Sequence, residues 1–163
     1  MPGYVIHLAV GKVYSQNNKI QDWDKFQKGI IAPDVKEDKA KSHYGPYSSS
    51  PGLDEFINEK GIEDSYNEGY FLHLLTDYYF YNKFLDNWKP DIYDDYDKLN
   101  KEIIKKYGIE IPCLIKDKVR FKEGELSIIN KEELYKFIDL VGKINIRQIV
   151  DKKEKNNRIE WEF

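Results

Sequence analysis

The first apolar run, Tyr4 to Val10, is interrupted only by His7 and gives way to a polar break at Gln16, Asn17, Asn18 and Lys19. It predicts a buried first helix over residues 4–15, with a strand as the alternative because of the valines. Asp22 is placed to cap a second helix from Trp23 to about Ile31, which should stop at Pro33 because proline disfavours helical geometry in the residue before it. Residues 35–52 then turn polar and rich in Lys, Ser, Gly and Pro, the pattern of a long loop. Ser50 and Pro51 open a third helix to Glu59, with Gly61 as its stop. The fourth helix begins near Ser65, runs to about residue 87 and must end before Pro90. It is apolar on nearly every side and should be the central helix. A fifth spans Tyr93 to Tyr107 and closes at Gly108.

Between Ile109 and Ile129 the pattern loosens into what reads as short extended pieces, near 111–115 and 119–121, with a turn at Glu123 and Gly124. Asn130 caps a sixth helix, Lys131 to Val141, helped by Glu132 and Glu133 in its first turn. A seventh covers Ile144 to about Lys153, and the tail orders only if Trp161 and Phe163 dock. The expected fold is all-α, a single-domain helical bundle around a buried central helix at about 65–87.

A chain of 163 residues can bury one proper core, so residues 1–163 read as one domain. Its 26 basic and 29 acidic side chains leave a formal charge of −3, which argues against an extended nucleic-acid surface but not against a local basic pocket. One cysteine, Cys113, excludes an internal disulfide framework. With no leader pattern at the start, the expected location is the reducing cytoplasm. No apolar run approaches the roughly 20 residues of a membrane span.

Chemistry concentrates in few places. His73 and Asp77 lie four residues apart, about one helical turn, so both leave the same face of the central helix. Burying them is costly unless something compensates them. They can satisfy each other as a core pair, and a divalent ion would compensate both at once. The chain has three histidines. His7 interrupts the first apolar helix, where a hydrogen-bonded core histidine is the plain alternative, and Gly11 four residues on leaves room for close approach. His43 lies in the polar loop within Lys39-Ala40-Lys41-Ser42-His43-Tyr44-Gly45, whose basic and hydroxyl side chains could form an anion-binding rim or an ordinary solvated loop. Asp34 follows Gly29-Ile30-Ile31-Ala32-Pro33 at a helix end, a position also common in plain turns. Asp91, Asp94, Asp95 and Asp97 could be a metal cluster, but the dipole of the helix they open accounts for them. The aromatic run after Asp77 reads as packing.

Taken in order, His7, the Gly29 to Asp34 turn, His43 and the His73–Asp77 helix resemble the superfamily of zinc-dependent phospholipase C and the single-strand zinc nucleases. The resemblance covers about residues 1–85. It implies that His43, His73 and Asp77 hold one ion and that Asp34 is a further ligand or the catalytic base. It also implies that Asp77 bridges to a second ion bound by His7. In that family the N-terminal amine and first carbonyl complete the second site; here that start would be Pro2, were Met1 removed. The family's third site departs: Lys83 stands where a histidine follows the bridging carboxylate by six residues, and no histidine follows His73. One or two ions are expected, zinc first, with iron or manganese also suited to these ligands.

A small bacterial member of this kind would hydrolyse a phosphoester, most simply a phosphodiester, through metal-bound hydroxide. Its substrate would be a small phosphorylated molecule or a phospholipid headgroup, with Lys41 and Lys83 as candidate phosphate contacts. The alternative is a non-catalytic helical domain with a structural metal site. An HD-type phosphohydrolase is less consistent, because no histidine is followed directly by aspartate.

Overall fold

The computed structural model describes residues 3–156, with side chains through Lys152; Pro2, Trp161 and Phe163 lie outside the described residues. Helices make up the fold, and no strand occurs among the described residues. They are α1 (Tyr4–Asn17), α2 (Trp23–Val35), α3 (Lys39–Ser42), α4 (Leu53–Glu59), α5 (Ser65–Tyr79), α6 (Ile92–Tyr107), α7 (Lys131–Gly142) and α8 (Ile146–Asn156). α5 passes into a π-helical turn, Phe80–Phe84. The single bundle packs α5 against α1, α2 and α4, and α1 also meets α6 and α7.

The central pair is α2 and α5, and glycine is why they approach so closely. A Cβ on Gly29 would lie 2.0 Å from the Tyr66 carbonyl oxygen, and one on Gly69 would lie 2.1 Å from that of Phe26. Backbone therefore rests on backbone. The two helices run in the same direction with a fixed offset of 43 residues: the Asp22 amide donates to Ser65 Oγ, and His73 Nδ1 meets the Ile30 carbonyl. The same offset brings Asp34 beside Asp77. Gly11 serves a helix and not a ligand, since a Cβ there would strike Ile30 Cδ1 at 2.2 Å.

Several boundaries differ from expectation. α2 does not stop at Pro33 but carries it inside and ends at Val35. The exposed carbonyls of this last turn find outside donors: Lys36 N–H for Ala32, Ser42 Oγ for Pro33, and Tyr4 Oη and Lys39 Nζ for Asp34. Those tertiary bonds outweigh the local preference. The polar loop contains α3, capped by Asp38, and α4 starts at Leu53 with Gly52 as its cap, not Ser50. The extended pieces near 111–129 are absent. That segment holds one 3-10 turn, Cys113–Ile115, and is otherwise irregular. It is tied to α6 by Asp95, fully buried, whose carboxylate accepts from the amides of Ser127, Ile128 and Ile129 at 2.8–2.9 Å. Asp94 pairs instead with Lys122 at the surface, so the α6 acids form no metal cluster. The caps at Asp22 and Asn130 are as expected, accepting from Lys25 N–H and Glu133 N–H.

Candidate metal centre

His7 comes from the first turn of α1, Asp34 from the last turn of α2, His43 from the C-terminal cap of α3, and His73 and Asp77 from one face of α5. All five converge, and none is more than 4 % exposed. His43 Nε2 and His73 Nε2 lie 3.4 Å from Asp34 Oδ1, and 3.1 and 3.3 Å from Asp77 Oδ2. Four ligands at zinc-like bond lengths of about 2.0–2.2 Å, arranged tetrahedrally, would be separated by about 3.3 Å. These four nitrogen–oxygen separations match that spacing. The other carboxylate oxygens face the opposite way: Asp77 Oδ1 is 3.1 Å, and Asp34 Oδ2 4.0 Å, from His7 Nε2.

Hydrogen bonding separates the inner and outer atoms of these side chains. His73 Nδ1 is 2.6 Å from the Ile30 carbonyl, and His43 Nδ1 is 2.9 Å from that of Lys39. Each ring thus donates from Nδ1 and turns Nε2 inward, the outer-shell arrangement typical of metal-ligating histidine. Tyr70 Oη donates to the Ser42 carbonyl and secures the short α3 that carries His43. By contrast, Nε2 of His7, His43 and His73 and all four oxygens of Asp34 and Asp77 have no hydrogen-bond partner outside the cluster and meet only one another, at 3.1–4.0 Å, and Nδ1 of His7 meets none. These are eight of the ten buried side-chain atoms without a hydrogen bond of good geometry among the described residues; the others are the hydroxyls of Tyr14 and Tyr96. Buried polar atoms are otherwise almost always satisfied, so a cluster closed on itself in this way could hold a cation. Groups drawn from His7, His73 and Asp77, and from Asp34, His43 and His73, can each hold a metal ion.

No protein-family model matches the chain, and no curated protein or solved structure matches it either.

The metal-free electrostatics fit the same view. Burial alone would raise Asp34 and Asp77, but the attraction of His73, with His43 and His7 close by, holds both carboxyls well below the usual range. Burial would likewise lower His73, yet the two carboxylates outweigh it and lift the imidazole to about 10. His43 is raised for the same reason. His7 goes down, first by burial and then by the positive His73 ring stacked on it at 3.6 Å. Protons on His73 and His43 thus occupy the place a metal would take.

Lys41 and Lys83 are exposed, and neither ammonium is in hydrogen-bond or ion-pair contact with the five residues. The cation that does reach the centre is Lys39, through the Asp34 carbonyl. Sequence reasoning missed Lys39, Tyr4, Ser42 and Tyr70 as supports, because each acts across a tertiary contact that no spacing announces.

Proposed function

We propose that the protein is a metal-dependent phosphoesterase whose centre holds two divalent ions, zinc first, between His43, His73, Asp34 and Asp77 on one side and His7 and the same two carboxylates on the other. The observation that carries this is the set of eight buried ligand atoms without a hydrogen bond of good geometry, around two carboxylates whose oxygens face opposite ways. Such a pair of ions would polarise a phosphoryl oxygen and supply a nucleophile near neutral pH.

The chain's own residues do the rest. Asp77 would contribute to both positions. Asp34 Oδ1 stands 3.4 Å from Nε2 of both His43 and His73, which favours a ligand. Ile30 and Lys39 hold the histidine rings through their carbonyls, so the donor atoms are already arranged before a metal arrives. Helix backbone contact at Gly29 and Gly69 keeps that arrangement stiff, and a small displacement of catalytic groups is costly in rate.

The test is metal analysis of the purified chain, followed by turnover of bis(p-nitrophenyl) phosphate and p-nitrophenyl phosphate after reconstitution with zinc, manganese or iron. Asp34→Asn should lose metal together with activity. Unchanged metal content with a loss of roughly 100-fold in turnover would reassign Asp34 as a base. A second reading, a structural metal site without turnover, is favoured by the near-complete burial of all five side chains. Tightly held metal and no hydrolysis of either ester would select it.

A further inference from the structure

The five clustered side chains are not held alike. His7, His73 and Asp77 sit in long helices that are buried on both sides of them, over residues 5–11 of α1 and 68–77 of α5. His43 instead follows α3, a helix of four residues, and there exposed chain runs directly up to the centre. Lys36 to Lys41 are exposed, and the next two residues, Ser42 and His43, are buried. So short a helix does not hold itself together, and α3 stays in place through its neighbours. Ser42 Oγ donates to the Pro33 carbonyl at 2.8 Å, Lys39 Nζ to the Asp34 carbonyl and Tyr70 Oη to the Ser42 carbonyl.

The residue after His43 supplies an independent observation. Tyr44 has a φ of 57°, and it is the only non-glycine residue with positive φ among the described residues. A side chain in that left-handed region is strained, and such strain persists only where the surroundings hold it. Here the ring is gripped edge-on by Phe56 at 5.3 Å and by Tyr70 at 6.4 Å. The chain then doubles back, with the Gly52 amide donating to the His43 carbonyl at 3.0 Å. A strained joint thus stands at the point where the one short element carrying a ligand leaves the centre.

We propose that α3 is a hinged cover over the metal centre, turning on Tyr44, and that divalent ions enter and leave by its opening, with His43 the last ligand to close. In the open form His7, Asp34, His73 and Asp77 keep their places on α1, α2 and α5, so an arriving ion meets four prearranged side chains. Closure adds His43 and shuts out water. The proposal rests on the metal centre of the reading above and not on its hydrolytic step.

The experiment follows zinc in the full chain, by uptake into the metal-free protein and by transfer to an excess of a chromophoric chelator. Wild type is compared with Tyr70→Phe, which keeps the ring beside Tyr44 and removes only the bond to the Ser42 carbonyl, and with Asp95→Ala, which loosens α6 instead. A cover that opens more often speeds both directions, so for one lost hydrogen bond uptake and release should each rise about tenfold in Tyr70→Phe, with Kd within about twofold of wild type. Both rates should be unchanged in Asp95→Ala. In wild type the amides of Ser42, His43 and Gly45, bonded to the Asp38, Lys39 and Ala40 carbonyls, should exchange with solvent faster than those of α5 without zinc, and slow at least about tenfold when zinc is bound. Release that is faster while uptake is unchanged would overturn the cover and leave Tyr70 a support for His43 alone. Unchanged rates in Tyr70→Phe, equal acceleration in Asp95→Ala, or α3 amides as protected as those of α5 in the metal-free chain would also overturn it. If no zinc binds, the cover and the metal centre fall together. If zinc exchanges as stated while neither ester is hydrolysed, the cover stands and the phosphoesterase reading falls.

Discussion

Asp77 and Asp95 are both fully buried carboxylates on helices of the same bundle, yet they are handled in opposite ways. Asp95 accepts from three backbone amides and thereby holds the irregular segment before α7 against α6. Asp77 has no peptide amide on either oxygen and faces three imidazoles at 3.1–3.3 Å and a second carboxylate. A buried charge met by peptide amides is a fastening; one met only by imidazole nitrogens can exchange their protons for a metal ion. Burial alone does not tell the two apart, but the identity of the neighbours does.

The largest expected effect breaks the contrast at Asp77. Asp77→Asn removes the charge common to both ion positions and one of the two donor oxygens, so metal stoichiometry should fall and turnover drop by roughly 100-fold or more, read by elemental analysis and the diester assay. Retention of full metal content and activity would reduce α5 to a core helix whose histidine and aspartate satisfy each other. Next in size is metal removal. An ion at about 1,000 times its Kd stabilises a folded state by about 4 kcal/mol, so chelation should lower the melting temperature by roughly 10 °C for a chain of this length. Asp95→Ala sharpens the contrast from the other side. It strands three amides at a cost of about 3 kcal/mol, lowers the melting temperature by a similar roughly 10 °C, and leaves metal stoichiometry unchanged. A loss of metal in that variant would show that the two carboxylates are not independent.

A further effect is in pH. In the metal-free protein the folded pKa of His73 is about 10, above its unfolded value of 6.5. The stability this contributes is fully present below about pH 6.5 and is lost as pH rises towards 10. Urea midpoints of the metal-free chain should therefore fall between pH 6.5 and 10. With metal in place the Nε2 lone pair is already taken, and that decline should vanish.

The helices were largely legible because their signals are local. Asp22 and Asn130 cap as their positions suggest, Gly108 ends α6 with a left-handed backbone, and the apolar density of residues 65–85 marks the central helix. The five-residue cluster was legible for a different reason: His7, His73 and Asp77 are ionisable groups in apolar helices, where burial demands compensation. What was not legible depends on partners distant in sequence. Pro33 lies inside α2 because Ser42, Tyr4 and Lys39 satisfy the carbonyls around it. The extended pieces expected near 111–115 and 119–121 are irregular chain because their backbone groups are met by a local turn, Lys118 and Val119 N–H on the Ile115 carbonyl, and by α6, where the Asn100 amide donates to the Arg120 carbonyl. Lys41 and Lys83 carry a suitable charge and stand exposed, without a hydrogen bond or ion pair to the cluster.

The π-helical turn at Phe80–Phe84 has a consequence for how this chain can vary. Its Leu85 amide reaches back five residues to the Phe80 carbonyl, so the segment holds one residue more than an α-helix would need there. Phe84 is thereby aimed at Phe137, with ring centroids 5.1 Å apart. Deleting one residue between 81 and 83 would restore α-helical winding, and because a π turn of five residues rotates the chain about as far as four α-helical residues, Phe84 would keep its direction. His73 and Asp77 upstream and the Phe84–Phe137 contact downstream would both be retained. Length variation by one residue at this point is therefore absorbed locally, and related chains with a one-residue gap here should keep both the ligands and the packing of Phe84 on α7.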